Sequence, residues 1–480
     1  MTPRDEYDDA EPHLASAPAS FALDDIDSSP SGEFERGDHV EVSGRLLSAL
    51  RVRGPITFDA GEFWQYAPRG VWSCLEAASV RTAAMRFAGC SVGLKSKPLK
   101  MSGPDTRGIE SVARDRLTSD PARVTFAGAP PGVAFSNGFV TVRDGVVALL
   151  GHAPEHRARH GFDFDYATHA PEATPLFTAF LDQLFADCGE DERSARVALI
   201  QEFAGACLIG DATRYQKCLL LYGSGGNGKS ALLTLLRAMF PREALCSLPP
   251  QRWNDRFSLE SLENKRANFV SETPTSEILD GAAFKAVITG DVVTAERKQR
   301  PVFEFVPVAG HIFSLNVPLN TSDHSDGFWR RPIVLPLTHN FENDPYRVLN
   351  VEQDIIRAEL AGVVAWAIEG AARAQRQGAY TMPTQSLAVA NEWRDASDQV
   401  RLFLATRPDA DEVLAGDFYK QYKSWALDNG HKNAVTSTTF GRRVKATNLY
   451  RTKHTSAGCL YTSTVKRAEQ AQEEVNAHGH

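Results

Sequence analysis

The chain has 480 residues, 42% hydrophobic and 23% charged, which is enough for about two to four domains with ordinary cores. Its apolar runs are strand-sized, well below the roughly 18–20 residues of a membrane-spanning helix, and its acidic start is unlike a secretory signal or transit peptide. These features argue against an integral membrane or exported protein. The seven cysteines never form a C-x-x-C pair, which favours reduced thiols in a cytoplasm.

The formal net charge of −8 is unevenly distributed along the chain. Residues 1–38 hold eleven Asp/Glu and two Arg with few large apolar side chains, a composition typical of a disordered acidic tail. Residues 418–467 carry ten Lys/Arg, and Asp428 is their only acidic residue. Such a basic block raises the question of phosphate binding, because the sequence-independent part of nucleic-acid affinity is electrostatic.

Residues 39–205 are predicted to form an N-terminal domain of mixed α+β and helical structure. An aromatic cluster, Phe63–Tyr66 with Trp72, is interpreted as part of a small core rather than as a base-stacking surface. Val133–Leu150 alternates around two tight turns, which predicts short paired strands. Pro175–Ile209 has apolar residues at helical spacing.

Residues 217–340 alternate short apolar runs with polar helical stretches, the pattern of a parallel sheet with covering helices. An apolar strand, Lys217–Tyr222, is followed by G-x-x-x-x-G-K-[ST] and then by a helical run, Ala231–Phe240. The loop positions are Gly223, Ser224, Gly225, Gly226, Asn227, Gly228, Lys229 and Ser230.

This loop predicts binding of ATP with Mg²⁺. Glycines let backbone N–H groups curl around phosphate oxygens, and the N-terminus of the next helix adds partial positive charge. Lys229 is expected to reach the β- and γ-phosphates, and the Ser230 hydroxyl is expected to hold Mg²⁺.

Polar residues end two later apolar strands. Glu272 follows Ala267–Val270, at the tip of what we expect to be a strand neighbouring the loop, and is the candidate to orient the attacking water and to help hold Mg²⁺. Asn316 follows another strand and could sense the γ-phosphate. Arg330 and Arg331 precede a further strand without a local acidic partner, which suits an arginine that acts on a neighbour's nucleotide.

Taken together, these residues resemble superfamily 3 helicases, specifically the phage/plasmid primase-helicase family related to the poxvirus primase-helicase. The resemblance covers roughly residues 60–380, and the supporting strings in chain order are Leu221–Ser230, Phe269–Glu272, Ile288–Arg297, Phe303–Phe305, Ser314–Asn316 and Asp326–Arg331. It implies an α/β fold with an AAA+-like P-loop ATPase core over residues 206–345. It also implies assembly as a homo-hexameric ring, with Arg330 or Arg331 supplied by the next subunit.

By the same resemblance, Asp291–Phe303 corresponds to a hairpin that points into the central channel and grips single-stranded DNA. Its basic residues are Arg297, Lys298 and Arg300. Ser271 stands where many ring ATPases have an Asp. The string Phe162–Asp165 resembles a primase metal motif, but only about 50 residues separate it from the ATPase strand, too few for a polymerising domain, so no priming activity is expected.

The remaining residues are divided into a helical extension (346–400), a winged-helix DNA-binding module (401–467) and a flexible tail (468–480). An amphipathic helix, Ala415–Leu427, is followed by a basic helix capped at Thr436 and by a hairpin over 450–461. The basic residues expected to contact DNA in this module are Arg442, Arg443, Lys445, Arg451 and Lys453.

The sequence therefore predicts an ATP-dependent DNA helicase of a phage, prophage or plasmid replication system, in the cytoplasm of a bacterial host cell. Its expected partners are single-stranded and duplex DNA, further copies of itself and a separate primase or polymerase. Two alternatives stay open: an origin-binding initiator whose ATPase is an assembly switch, and a phosphotransferase that uses the same loop without oligomer dependence.

Overall fold

A computed structural model describes residues 33–168, 173–272, 277–298, 301–406, 412–430, 434–447, 449–456 and 458–464. Most of the predicted acidic tail, the whole C-terminal tail and Arg300 lie outside these ranges. Within them, no helix combines the length and the apolar character needed to cross a bilayer.

The N-terminal part of the described chain packs three helices and a small antiparallel sheet around one core. Phe63 and Trp72 are each 1% exposed, so the aromatic cluster is packed as predicted. The elements are α1 (His39–Arg51), β1 (Ile56–Asp59), β2 (Glu62–Tyr66), β3 (Trp72–Leu75), α2 (Ala77–Met85), β4 (Ser91–Val92), β5 (Lys97–Pro98) and α3 (Gly103–Thr118).

A three-stranded meander follows, and its two turns fall where the alternating pattern predicts them. It consists of β6 (Val133–Phe135), β7 (Gly138–Arg143) and β8 (Val146–Leu150), paired in that order. Two helices come next, α4 (Pro175–Leu184) and α5 (Glu190–Ile209), which together account for the predicted helical stretch.

The centre of the protein is a five-stranded parallel sheet, so the predicted mixed α/β class is confirmed. Its strand order is β10-β11-β14-β9-β15. The elements of this region are β9 (Cys218–Tyr222), α6 (Lys229–Ala238), β10 (Leu245–Cys246), α7 (Arg256–Leu259), β11 (Ala267–Val270), α8 (Gly281–Thr289), β12 (Val293–Ala295), β13 (Phe303–Phe305), β14 (Gly310–Leu315), α9 (Asp326–Trp329) and β15 (Pro332–Pro336).

The register brings the carboxyl ends of the central strands to one edge. Val270, Phe313, Leu220 and Val334 stand opposite one another across β11, β14, β9 and β15. One detail differs from the sequence-based expectation: β14 lies between β9 and β11, so the strand that precedes Glu272 is not the immediate neighbour of the loop strand. Strand order depends on long-range pairing, which local apolar runs do not encode.

Two further helices follow the sheet, α10 (Val351–Gln377) and α11 (Thr384–Ser397). The long helix ends at Gly378, as predicted. It packs closely along α5 because glycines stand at the crossing: a β-carbon on Gly205 would clash with the carbonyl oxygen of Ala367, and one on Gly370 would clash with the backbone of Gln201. This pair supports one face of the central sheet.

The last described residues form a small unit with its own core of Phe403, Phe418, Tyr422 and Phe440. The predicted helix, basic helix and hairpin are all present, and a further helix that begins at Gln399 packs with them. The elements of the unit are α12 (Gln399–Ala405), β16 (Glu412–Leu414), α13 (Ala415–Asp428), α14 (Ser437–Ala446), β17 (Tyr450–Thr455) and β18 (Gly458–Ser463), and its sheet order is β16-β18-β17.

Candidate functional site

The glycine-rich loop connects the carboxyl end of β9 to the start of α6. Gly226 and Gly228 both have φ of +74°, in the left-handed region that favours glycine. A β-carbon on Gly228 would also lie 2.7 Å from the ring of Phe341. The helix starts directly after Gly228 without a side-chain cap, so its first N–H groups face the loop. Such a concave set of N–H donors suits phosphate oxygens.

Lys229 is held entirely by neutral oxygens. Its Nζ donates to the carbonyl oxygens of Gly223 at 2.6 Å and Leu315 at 3.2 Å, and also to Oδ1 of Asn316. Within the described ranges, no carboxylate pairs with this ammonium, and burial lowers the pKa of Lys229. The charge is therefore fixed in place but not neutralised, which is the condition for attracting a phosphate.

Glu272 and Asn316 lie at the same edge of the sheet as the loop. The last paired residue of β11, Val270, stands opposite Phe313 of β14, which in turn pairs with Leu220 of β9, and Glu272 follows Val270 by two residues. Two strand spacings separate β11 from β9, which places the Val270 backbone about 10 Å from that of Leu220. Ser271, Glu272 and Asn316 are all exposed, so a water could approach the carboxylate.

The opposite flank of the loop is attached to the segment that follows β15. Asn227 is 4% exposed, and its Nδ2 donates to the carbonyl oxygen of Leu337 at 2.8 Å. The N–H of Phe341 donates to the carbonyl oxygen of Gly226, also at 2.8 Å. Sequence analysis missed these contacts, because neither Leu337 nor Phe341 belongs to a recognisable motif. On the exposed surface of the loop are Ser224, Gly225 and Ser230.

The two candidate arginines have different surroundings. Arg330 is exposed, and its Nη2 donates to Oε1 of Gln216 at 3.1 Å. Arg331 is 6% exposed and donates to Oγ1 of Thr289 at 2.6 Å and to the carbonyl oxygen of Gly327. Burial, with a smaller contribution from Arg330, lowers the pKa of Arg331. Only Arg330 is accessible to another molecule in this conformation.

Both arginines lie at the amino ends of the parallel strands, whereas the loop lies at their carboxyl ends. Pro332, the first residue of β15, is paired with Cys218, the first residue of β9. Four steps of about 3.3 Å along parallel strands put the arginine edge roughly 13 Å from the loop edge. Arg330 therefore cannot reach a phosphate bound at the loop of its own chain without unfolding the sheet.

The basic residues of the β12–β13 hairpin are also unequal. Arg297 donates through Nε to Oε1 of Glu260 at 2.8 Å and through Nη2 to Oε2 of Glu263, and it lies 4.7 Å over the Phe303 ring. Lys298 is exposed, while Arg300 lies outside the described residues. Arg297 thus joins elements of the protein to one another, and Lys298 is accessible to solvent.

Four of the five basic candidates in the C-terminal unit are exposed: Arg442, Lys445, Arg451 and Lys453. Arg443 differs, because its Nη1 donates to Oδ1 of Asp398 at 2.9 Å, and Asp398 is only 3% exposed. This ion pair fixes α14 against the start of α12. The remaining four side chains form a basic surface on the helix and the hairpin.

The residues of the loop and of the neighbouring strand ends fit a nucleoside triphosphate with its divalent cation. The described residues contain no cluster of three or more His, Cys, Asp or Glu that could hold a metal alone. A Mg²⁺ bound with nucleotide needs few protein ligands, because phosphate oxygens and waters complete its octahedron. The Ser230 hydroxyl and the Glu272 carboxylate, both exposed, are the candidate ligands on the side of the loop that bears Asn316.

Comparison with known proteins gives two findings. A family model described as a family of unknown function (DUF5906) matches residues 221–331, from the end of β9 to Arg331. Apo structures of the C-terminal region of NrS-1 are similar at 13% identity; two of them cover 89% of this chain and 98% or 99% of theirs, with TM-scores of 0.48 and 0.47. The family match covers the loop, Glu272, Asn316 and the arginine pair, and its description assigns no function.

Proposed function

We propose that this protein is an ATP-hydrolysing DNA helicase of a phage, prophage or plasmid replication system, built on an AAA+-like P-loop ATPase core. The observation that carries the proposal is the Lys229 ammonium, held by neutral oxygens at the sheet edge that also bears Asn316 and Glu272. A fixed cation, a polar side chain in contact with it and an exposed carboxylate at one edge are the groups that phosphoryl transfer to water requires.

In this proposal each residue has a defined task. The loop amides and Lys229 bind the β- and γ-phosphates. Asn316 contacts the γ-phosphate, and this phosphate competes with the Asn316 side chain for the Lys229 ammonium. Glu272 orients the attacking water and accepts its proton. Ser230 and Glu272 would hold Mg²⁺, which would supply charge neutralisation for the phosphates.

Stabilisation of the transition state requires a second chain. Arg330 is exposed at the edge opposite to the loop, which supports a role on a nucleotide bound by the next subunit rather than on its own. Arg331 supports Arg330 from within through its bonds to Thr289 and Gly327. Repetition of this head-to-tail contact closes a ring, for which we propose a homo-hexamer.

DNA is proposed to contact two basic surfaces. Lys298 on the β12–β13 hairpin would bind phosphates of a single strand in the ring channel. The order helix, strand, helix, helix, hairpin in residues 399–464 supports a winged-helix module, in which Arg442 and Lys445 on α14 and Arg451 and Lys453 on β17 would face a duplex. A separate primase or polymerase would act on the strands produced in the host cytoplasm.

The test is steady-state ATP hydrolysis with and without single-stranded DNA, with Lys229→Ala as the control. The helicase proposal predicts turnover that single strands stimulate and that the Lys229→Ala variant loses. Turnover that does not depend on single strands but responds to one duplex sequence would favour an origin-binding initiator. In that case the C-terminal unit, which has its own core, would recognise the duplex. Absence of turnover at all protein and DNA concentrations would contradict both.

A further inference from the structure

The segment after β15 is fixed against the glycine-rich loop, on the side of the loop away from Asn316. The side chain of Asn227 donates to Leu337, and the N–H of Phe341 donates to Gly226. These two hydrogen bonds hold residues 337–341 alongside the loop. The segment therefore forms a wall of the same site rather than a remote connection.

Asp344 fixes the end of this segment. Its Oδ2 accepts hydrogen bonds from Nε2 of His339 at 2.8 Å and from Nε2 of Gln183 at 2.9 Å, and its Oδ1 accepts from the N–H of Tyr346 at 2.8 Å. These bonds, led by the one from the Tyr346 backbone, lower the pKa of Asp344. The Asp344 carboxylate is thus fully engaged in holding the segment in place.

Glu342 lies between these anchors and has a different environment. Its carboxyl group lies 2.9 Å from the position that a β-carbon on Gly226 would occupy, and its side chain is exposed. Its N–H donates to Oδ1 of Asn340 at 2.8 Å, which fixes the backbone. Among the described residues, no cation pairs with this carboxylate, although it borders the loop that would bind an anion.

The direction of the nucleotide follows from the strand order. Lys229 contacts Asn316, so the γ-phosphate would lie toward β14. Strands β14 and β15 flank β9 on opposite sides. The nucleoside would therefore leave the loop on the β15 side, where Glu342 is located. A carboxylate repels phosphate but readily accepts a hydrogen bond from a sugar hydroxyl, as acidic residues do in other nucleotide sites.

We propose that Glu342 accepts a hydrogen bond from the ribose 2′-hydroxyl of the bound nucleotide and makes the site select ribonucleoside over deoxyribonucleoside triphosphates. This inference rests on the proposed function, because it requires a nucleotide at the loop. It adds a specificity-determining residue on the flank opposite to the hydrolytic groups. A site that binds a hydroxyl through a buried or charged acceptor discriminates strongly against the ligand that lacks it.

The experiment is equilibrium binding of ATP and 2′-deoxy-ATP, each with Mg²⁺, to the full chain. The wild-type protein should prefer ATP by about tenfold or more, the value of one hydrogen bond to a charged acceptor. Glu342→Ala should bring this preference close to unity, chiefly by weakening ATP binding. Glu352→Ala, which removes the same side chain from the first turn of α10, should leave the preference unchanged.

Two outcomes would overturn the inference. A wild-type protein without preference, or a Glu342→Ala variant that keeps the wild-type ratio of the two affinities, would show that Glu342 does not bind the sugar hydroxyl. Failure of the proposed function is distinguishable, because the wild type would then bind neither nucleotide and Lys229→Ala would change nothing.

Discussion

His311 is a buried residue whose protonation is tied to folding. It lies on β14 with 1% exposure, its ring 4.5 Å from that of Trp253, and Nδ2 of Asn268 donates to its Nδ1 at 3.2 Å. Burial lowers the pKa of His311 to about 3. The side chain is therefore neutral in the folded protein near neutral pH, and a proton on the acceptor nitrogen would break the bond to Asn268.

We predict that His311 makes the protein less stable as pH falls below about 6.5. Below that pH the unfolded chain binds a proton that the folded chain excludes. The free energy of unfolding, which is highest above the unfolded pKa, therefore falls by up to about 1.4 kcal/mol per pH unit until the pH approaches the folded pKa. In His311→Gln the free energy of unfolding should be lower overall but should fall less steeply between pH 6.5 and 5. His454→Gln, at an exposed position, should keep the wild-type slope, and an unchanged slope in His311→Gln would refute the prediction.

At the scale of elements, the β12–β13 hairpin is connected to two other parts of the protein by Arg297. The guanidinium pairs with Glu260 and Glu263 and also donates to the carbonyl oxygen of Ala60, in the turn between β1 and β2, at 3.2 Å. Burial raises the pKa of Glu263, and Arg297 opposes that shift. Arg297 therefore fixes the base of the hairpin, whereas Lys298 beside it is exposed.

Adjacent substitutions separate these two roles. Arg297→Ala should lower the free energy of unfolding by about 2 kcal/mol, because it leaves the Glu263 carboxylate poorly solvated and without its cation. Lys298→Ala should keep the wild-type stability but weaken single-stranded DNA binding and reduce its dependence on salt by about one phosphate contact. Thermal unfolding and binding at several salt concentrations measure both. An Arg297→Ala protein of normal stability with weakened DNA binding would show that Arg297 binds DNA instead.

Much of the fold follows from local patterns in the sequence. The strand before the loop, the paired strands of Val133–Leu150, the helix that ends at Gly378 and the C-terminal hairpin are all marked by periodicity, turns and caps. The position of β14 between β9 and β11 was not predictable in this way, because parallel strands pair over long sequence separations. Local sequence patterns therefore predict that a strand exists more reliably than they predict which strands pair with it.

In the candidate site, too, local sequence patterns reveal some residues but not the contacts between distant parts of the chain. The loop residues are recognisable because they match, within eight positions, the residue types and spacing that a phosphate-binding loop requires. The partners of Arg297, at residues 260 and 263, and the attachment of residues 337–341 to the loop depend on contacts between distant parts of the chain. The difference between Arg330 and Arg331 likewise required burial, because adjacent identical residues carry the same local signal.

At the scale of the whole molecule, the glycine-rich loop and Arg330 lie at opposite ends of the strands of one parallel sheet. Under the proposed function, a single chain would therefore present half of a hydrolytic site at each end of the strands. Two chains placed head to tail would bring the halves together, and the same contact repeated would close a ring. In the proposed function, hydrolysis occurs at this shared site.

The most direct measurement is ATP hydrolysis by mixed assemblies of Lys229→Ala and Arg330→Ala chains, produced together. Alone, each variant should lose about 1000-fold or more in turnover, since one lacks the phosphate-binding lysine and the other the arginine. Arg357→Ala, at another exposed arginine, is the matched control and should keep wild-type turnover. The mixture should recover about a quarter of wild-type turnover, because random pairing joins an intact loop to an intact arginine at that share of contacts. Mixed assemblies that remain inactive, or an Arg330→Ala protein that hydrolyses ATP normally, would contradict the shared site.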